Sequence, residues 1–213
     1  MKTIYKIALL TLLVSPFTVN AQDDVDAREK LTFGVKVGTN YSNVYDSEGE
    51  EFDADAKFGF AGGAFVAIPI GKLIGIQPEV LFSQKGFQAN GTILGGHYEI
   101  DRTTNYIDIP VFFMVKPVEF ITILAGPQFS YLVSQKDVFG NGVTTIAQEQ
   151  EFENDNVRKN TFCFVAGLDI NVNHFVIGGR GGWDMFNNNG DGTSTTPRYK
   201  NVWVQATVAY RFY

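Results

Sequence analysis

The sequence predicts an all-β protein, an eight-stranded antiparallel up-and-down transmembrane β-barrel. Three observations support this prediction. Segments of about ten residues alternate apolar with small or polar residues, which is the period of a β-strand. The connections between these segments alternate between long and short, as in outer membrane barrels. The final segment, 201–213, is aromatic-rich and strand-like to its last residue, as expected where a sheet must close on its last strand.

The N-terminus predicts export. Two lysines precede a short apolar stretch, 7–14, and Ser15-Pro16 ends it ahead of small or modest residues at the cleavage positions. This order is typical of a secretory signal peptide cleaved between Ala21 and Gln22. The predicted domains are a signal peptide (1–21), a short periplasmic N-terminal segment (22–30) and the outer membrane barrel (31–213).

Charge and cysteine content exclude some classes of function. The formal net charge is −6, which argues against a general nucleic-acid binder. Cys163 is the single cysteine, so no intrachain disulfide can form and an exported chain needs another source of stability. A closed hydrogen-bonded barrel in lipid supplies it. We expect Cys163 itself to be a small packed side chain rather than a nucleophile.

Each of the first four predicted strands has an apolar face without charged residues. In the first, Phe33 and Val35 lie opposite Gly34 and Lys36. These strands cover 31–41, 57–68, 74–83 and 106–115, and their apolar faces begin at Phe33, Phe58, Ile74 and Ile107. Such alternation predicts strands with two chemically different faces.

The last four predicted strands repeat the pattern. In the final one, Val204 and Val208 lie opposite Gln205 and Arg211. These strands cover 121–134, 161–170, 175–184 and 201–213, and their apolar faces begin at Ile121, Phe162, Phe175 and Val202. An even number of strands leaves both ends of the barrel domain on the periplasmic side.

The connections predict the two ends of the barrel. The long ones, expected outside the cell, cover 42–56, 84–104, 135–159 and 187–199. The short ones, expected in the periplasm, cover 69–72, 116–119 and 171–174. Pro78, Pro110 and Pro127 lie within predicted strands, although proline cannot donate to a β-ladder. We therefore expect them near strand ends, at bulges, or where the N–H would point away from a partner.

The face opposite the apolar one predicts a filled lumen. It mixes Gly, Ser, Thr, Asn and Gln with sparse charges of both signs, and a barrel of this size is filled by its own side chains. The predicted polar network of the lumen comprises Lys36, Glu79, Asp108, Asp169, Arg180, Asp184 and Arg211. A buried charge needs a partner, so we expect Glu79 and Asp108 to share a network with Lys36, Arg180 or Arg211. The network is a plug; the alternative is a gated polar path for small ions.

The residues predict no catalytic site, cofactor or metal site. His97 lies in a predicted external loop and His174 in a predicted periplasmic turn, so the two cannot share one site. No serine or acid stands beside either histidine at a diagnostic spacing. A lipid-modifying barrel enzyme stays open as a further alternative.

Several short sequence segments are similar to the PorT-like outer membrane β-barrel family, and the resemblance covers essentially the whole mature chain. They are Phe33 to Asn40, Gln77 to Gly86, Tyr106 to Pro110, and Ala125-Gly126-Pro127. The resemblance implies the type of barrel and not an activity. Founding members of that family are associated with export of secreted proteases, a role that the resemblance does not transfer. Outer membrane barrels commonly end on a lipid-facing aromatic residue, so Tyr210, Phe212 and Tyr213 form the predicted C-terminal assembly signal.

The sequence thus predicts a small porin-like barrel in the outer membrane of a Gram-negative bacterium, in a structural, adhesive or secretion-accessory role. The alternative is a narrow channel for ions or small solutes. Expected partners are outer membrane lipids, lipopolysaccharide and, during insertion, the barrel-assembly machinery. An extracellular or secretion-system protein partner is unidentified at this point.

Overall fold

Almost all of the described chain is β-strand. The computed structural model describes residues 26–46, 54–93, 96–140, 145–150, 158–189 and 199–212. A short 3₁₀ turn, Ala27–Glu29, precedes nine strands. The strands are β1 (Thr32–Asp46), β2 (Ala54–Pro69), β3 (Ile74–Ile93), β4 (Gly96–Val118), β5 (Ile121–Gly140), β6 (Thr145–Gln150), β7 (Asn160–Val172), β8 (Phe175–Asp184) and β9 (Tyr199–Phe212). The predicted signal peptide lies outside the described residues.

Eight of the nine strands close into a barrel. Each pairs antiparallel with the next barrel strand in the chain. β5 is followed by β6, which is not one of the eight, so in the barrel wall β5 pairs with β7. β1 pairs with β9 from Phe33 opposite Phe212 to Asp46 opposite Tyr199, which closes the ring. The eight-stranded antiparallel barrel is therefore confirmed, with β6 as an extra strand on the outer part of β5.

The two faces of the barrel have the distribution that the alternation predicts. Large apolar side chains point outward; on β9, Val204 is 61% exposed. Its neighbour Gln205 points inward and is 4% exposed. Charged side chains such as Lys36 and Glu79 are buried, so the polarity of the two faces is inverted relative to a water-soluble protein. Within the described ranges, no helix has the length and apolarity needed to cross a membrane.

The two ends of the barrel differ in the length of their connections. At one end, here the short-turn end, the connections are 70–73, 119–120 and 173–174. Asn173 in the last of these turns has φ 51°, a left-handed conformation that asparagine tolerates. At the opposite end, here the hairpin end, strands run on into long hairpins. β1 starts and β9 ends at the short-turn end, since Phe33 pairs with Phe212 there.

The loops predicted at the hairpin end are longer than the connections that the structure has there. β3 and β4 continue as one ladder to Ile93 opposite Gly96, so most of the predicted loop 84–104 is strand. Likewise β1 extends to Asp46, and β5 with β6 forms a hairpin in the predicted loop 135–159. Glycine, asparagine and charged residues give these stretches a loop-like composition, but cross-strand pairing stabilises them as strands. Of the predicted loop 187–199, residues 190–198 lie outside the described part.

The three prolines lie at or beside interruptions of the ladders. Pairing of β3 with β4 stops after Pro78 opposite Val111 and resumes at Leu81 opposite Asp108. Pairing of β4 with β5 stops after Pro110 opposite Gln128 and resumes at Phe113. Pro127 follows in β5, beside this second gap. The missing N–H groups therefore fall where the backbone ladder is already open.

We expect the outer face of β9 to be sensitive to charge according to depth. Val208 lies near the middle of the apolar stretch from Val202 to Phe212, so Val208→Arg should cost about 2–4 kcal/mol of folding free energy in lipid vesicles. The matched control, Val202→Arg, lies at the rim and should cost about 0–1 kcal/mol. Urea unfolding from vesicles measures both. Equal costs would show that the apolar face of β9 does not contact hydrocarbon.

Candidate functional site: the charged interior of the barrel

The candidate site is the row of inward-facing charges across the barrel interior. Six of the seven predicted lumen residues are buried there: Lys36, Glu79, Asp108, Asp169, Arg180 and Asp184. Each occupies an inward position of a strand whose alternate residues face outward, which is why these charges face the lumen at all. They form two groups, which we call the Glu79 cluster (Lys36, Glu79, Asp169, Arg180) and the Lys85 cluster (Lys85, Asp108, Asp184).

Glu79 holds the Glu79 cluster together. Lys36 Nζ lies 2.7 Å from Glu79 Oε1, and Arg180 Nη1 lies 2.7 Å from Glu79 Oε2. Arg180 Nη2 also reaches Asp169 Oδ2 at 3.4 Å, and Gln77 donates to Glu79 Oε1 at 2.8 Å. Two cations and two carboxylates balance in charge. Because they come from β1, β3, β7 and β8, the cluster spans the lumen and links strands that are not neighbours in the barrel wall.

Aromatic rings and a glycine complete the packing of the Glu79 cluster. Lys36 Nζ lies 4.9 Å from the centre of the Phe65 ring, and the Arg180 guanidinium lies 4.7 Å from that of Phe112. These distances allow cation–π attraction. A Cβ at Gly178 would stand 2.5 Å from Asp169 Oδ1, so glycine is needed there to leave room for the carboxylate. The small residues of the lumen face therefore accommodate large charged side chains from across the barrel.

The Lys85 cluster lies closer to the hairpin end. Lys85 Nζ is 3.1 Å from Asp108 Oδ2 and 3.7 Å from the centre of the Trp203 ring. The expectation that Asp108 joins Glu79 in pairing with Lys36, Arg180 or Arg211 is therefore wrong. Its partner, Lys85, was missed because 84–104 was interpreted as a loop. The signal was present, since Lys85 continues the inward phase of Glu79 along β3.

Asp184 is the acceptor of several hydrogen bonds beside Lys85. Asn201 Nδ2 donates to Asp184 Oδ2 at 2.6 Å, and the backbone N of Asn201 donates to the same oxygen at 3.1 Å. Cys163 Sγ donates to Asp184 Oδ1 at 3.1 Å and lies 3.5 Å from Ser130 Oγ. Cys163 is thus a buried, packed side chain tied into the polar interior.

A third group of charges closes the hairpin end above the apolar outer band. Arg102 forms two parallel bonds to Asp137, at 2.7 and 2.8 Å, and donates to Tyr199 Oη at 2.6 Å. Burial acts to lower the pKa of Arg102, but Tyr199 and Asp137 raise it above its usual value. Burial would raise the pKa of the neighbouring Asp101, yet hydrogen bonds from Lys57 and Gln88 hold it below its usual value. Arg102 and Asp101 therefore both stay ionised at pH 7.

Arg211, the seventh predicted lumen residue, lies at the short-turn end and outside both clusters. Its Nε donates to Asn173 O at 2.7 Å, and its Nη1 donates to Asn171 Oδ1 at 3.2 Å. Tyr210 and Phe212 of the predicted C-terminal signal lie on the outer wall beside it. Tyr210 packs against Phe212, with ring centres 5.1 Å apart, and Tyr213 lies outside the described residues.

Two small cavities lie at opposite ends of the barrel interior. A cavity of about 10 Å³ lies at the hairpin end beside Arg102 and Tyr199, and one of about 20 Å³ lies at the short-turn end beside Asp169 and Arg211. Each has room for about one water molecule. Asp169 Oδ1, which lies beside the second cavity, has no hydrogen-bond partner among the described residues and suits such a water. The two clusters lie between the cavities and separate them.

The two histidines lie at opposite ends of the barrel. His97 lies at the hairpin end of β4 and His174 in a turn at the short-turn end, so the length of the barrel separates their backbones. In the part of the chain that the structure describes, no three His, Cys, Asp or Glu side chains are grouped to hold a metal ion.

The sequence matches a known family over most of its length. Residues 20–188 match the model described as the outer membrane protein beta-barrel domain. The chain belongs to this outer membrane β-barrel family. The protein is therefore a small outer membrane β-barrel, which identifies its exposed apolar band as the surface that meets lipid and places it in a Gram-negative envelope.

The chain is also similar to several solved structures. The attachment invasion locus protein Ail of Yersinia pestis is 14% identical, with a TM-score of 0.52 over 86% of this chain and 99% of that one. Neisserial surface protein A is 10% identical, with a TM-score of 0.47 over 84% of this chain and 97% of that one. OprG of Pseudomonas aeruginosa is 12% identical, with a TM-score of 0.43 over 87% and 98%. The likeness to Ail shows the fold alone, and no curated protein matches the sequence.

We expect Glu79→Gln to destabilise the barrel by about 3–5 kcal/mol, because it leaves Lys36 and Arg180 facing a single carboxylate, Asp169. Lys36→Met alone should also destabilise it, since it leaves an excess negative charge. The double variant restores a neutral Arg180–Asp169 pair, so its cost should be smaller than the sum of the two. Urea unfolding of all four proteins measures this cycle. Additive costs would show that Lys36 and Glu79 are not coupled.

Proposed function

We propose that the protein is a non-conducting outer membrane barrel that serves as a rigid platform for its extended hairpins, in a structural, adhesive or secretion-accessory role. The observation that carries this proposal is the Glu79 cluster, whose buried ion pairs cross the lumen between two water-sized cavities. An open pore needs a continuous polar path. Here the side chains that would line it pair with one another instead.

The hairpins support the platform half of the proposal. Phe82, which is 38% exposed, is the last exposed large apolar side chain described on β3, yet the ladder with β4 continues to Ile93. At about 3.4 Å per residue and the usual tilt, the β3–β4 hairpin stands roughly 25 Å above the apolar band. Ordered strands that project from a rigid barrel offer a fixed surface for a partner.

The proposal also covers the orientation of the barrel in the outer membrane and its subtype within the family. Short turns of outer membrane barrels face the periplasm, so the hairpins project from the cell surface. Within the family we propose a PorT-like subtype, supported by Gln77 to Gly86 and Tyr106 to Pro110, which are the strings around the Glu79 and Lys85 clusters. We propose a non-enzymatic role, supported by the separation of His97 from His174.

Planar bilayer recording tests the plug. The wild-type protein should show no steady conductance, because ion pairs close the lumen. Replacing Lys36, Glu79 and Arg180 of the Glu79 cluster together with Lys85 and Asp108 of the Lys85 cluster by alanine should open a path and produce steady current steps. The control carries alanine at five side chains on the outer face of the same four strands and should stay silent: Val35, Val80, Phe82, Ile109 and Ile177.

Large steady conductance of the wild-type protein would contradict the proposal and favour the narrow-channel alternative. Hydrolysis or acyl transfer on outer membrane lipids by the purified protein would favour the enzyme alternative. If the wild type is silent and inactive, comparing outer membrane composition and protein secretion in a strain lacking the chain separates a structural from a secretion-accessory role.

A further inference from the structure

A polar and apolar surface meet on the outer wall where β8 ends. Met185 and Phe186, the two residues after β8, are 54% and 50% exposed. The backbone N of Met185 donates to Phe162 O at 2.9 Å, which holds this segment against β7. Trp183 on β8 and Phe162 on β7 are also exposed, so Met185 and Phe186 extend the lipid-facing surface toward the hairpin end.

Two cations flank this apolar surface. On the β7 side, Arg158 Nε donates to Asn187 O at 2.9 Å, and its guanidinium lies 5.7 Å from the centre of the Phe186 ring. On the β9 side, Lys200 Nζ donates to Met185 O at 3.2 Å. Both cations are therefore tied to the same short segment, at the upper edge of the lipid-facing surface.

These two cations differ from Lys57 and Arg102 at the same end of the barrel. Lys57 pairs with Asp101 and Arg102 pairs with Asp137. Among the described residues, no carboxylate pairs with Arg158 or Lys200. Each uses only part of its donor capacity, since arginine carries five N–H donors and an ammonium three. The unused donors lie beside the exposed apolar side chains of Met185 and Phe186. This arrangement suits a lipid whose anionic headgroup contacts the cations and whose acyl chain lies in the membrane.

We propose that Arg158 and Lys200 bind a phosphate of the outer-leaflet glycolipid, lipid A, with an acyl chain along Met185, Phe186 and Trp183. The assignment to this lipid rests on the proposed function, because it requires the hairpin end to face outward. The ligand must be amphiphilic, since these apolar side chains are continuous with the surface that meets hydrocarbon. A phosphate accepts parallel bonds from a guanidinium and attracts an ammonium, which matches the two cations.

Native mass spectrometry of the detergent-purified full chain tests the site, with bisphosphorylated lipid A as the probe. The double variant Arg158→Gln with Lys200→Gln should bind about 25-fold more weakly than wild type, because each cation near an anionic lipid contributes roughly fivefold. The matched control, Lys30→Gln with Lys72→Gln, removes two exposed cations from the short-turn end and should bind like wild type. Dephosphorylated lipid A and phosphatidylglycerol should both bind wild type more weakly than lipid A.

Equal loss in the two double variants, or binding that does not depend on phosphate, would overturn the proposed site. Phosphatidylglycerol binding as tightly as lipid A would overturn the choice of lipid. Heat-dependent electrophoretic mobility shows whether each variant is folded. If the glutamine variant fails to fold, the charge-preserving Arg158→Lys with Lys200→Arg must retain binding and Phe186→Ser must lose it. Cleavage of the hairpins by protease added to intact cells reports separately on whether the hairpin end faces outward, so failure of the binding site is distinguishable from failure of the proposed orientation.

Discussion

The requirement that every backbone N–H and C=O be paired within hydrocarbon governs this structure. Water cannot satisfy these groups in a bilayer, so a sheet that crosses it must have no edge. Pairing of β1 with β9 removes the last two edges of the eight-stranded sheet. Closure then fixes the direction of every side chain. One set of alternate residues meets lipid, and the other is confined to a narrow lumen.

Confinement explains the chemistry of the interior. An eight-stranded barrel leaves room for side chains and little else, and ionised groups there need partners. Glu79 meets this need for Lys36 and Arg180, while Asp108 meets it for Lys85. These contacts join strands across the lumen as well as along the wall. The same side chains thus fill the barrel and hold its shape.

The two faces of the barrel wall and its closing strand were predictable from the sequence. Both follow from the alternation of apolar and polar residues along each strand. The buried positions of Lys36, Glu79 and Arg180 follow from that alternation. Their partners do not, because pairing across the lumen depends on strand tilt and register, which no single segment encodes. The ends of the strands were also missed. Gly86 and its polar neighbours resemble a loop, but pairing with β4 holds them as strand, and this error concealed Lys85.

The central claim is that buried ion pairs fill the lumen of the closed barrel. Solid-state NMR in lipid bilayers tests it most directly, by polarisation transfer from Lys36 Nζ to the Glu79 carboxyl carbon. The 2.7 Å contact between Lys36 Nζ and Glu79 Oε1 requires strong transfer and weak exchange of the Lys36 ammonium protons with water. Absence of that transfer, together with rapid exchange of the ammonium protons, would show a hydrated lumen and contradict the account.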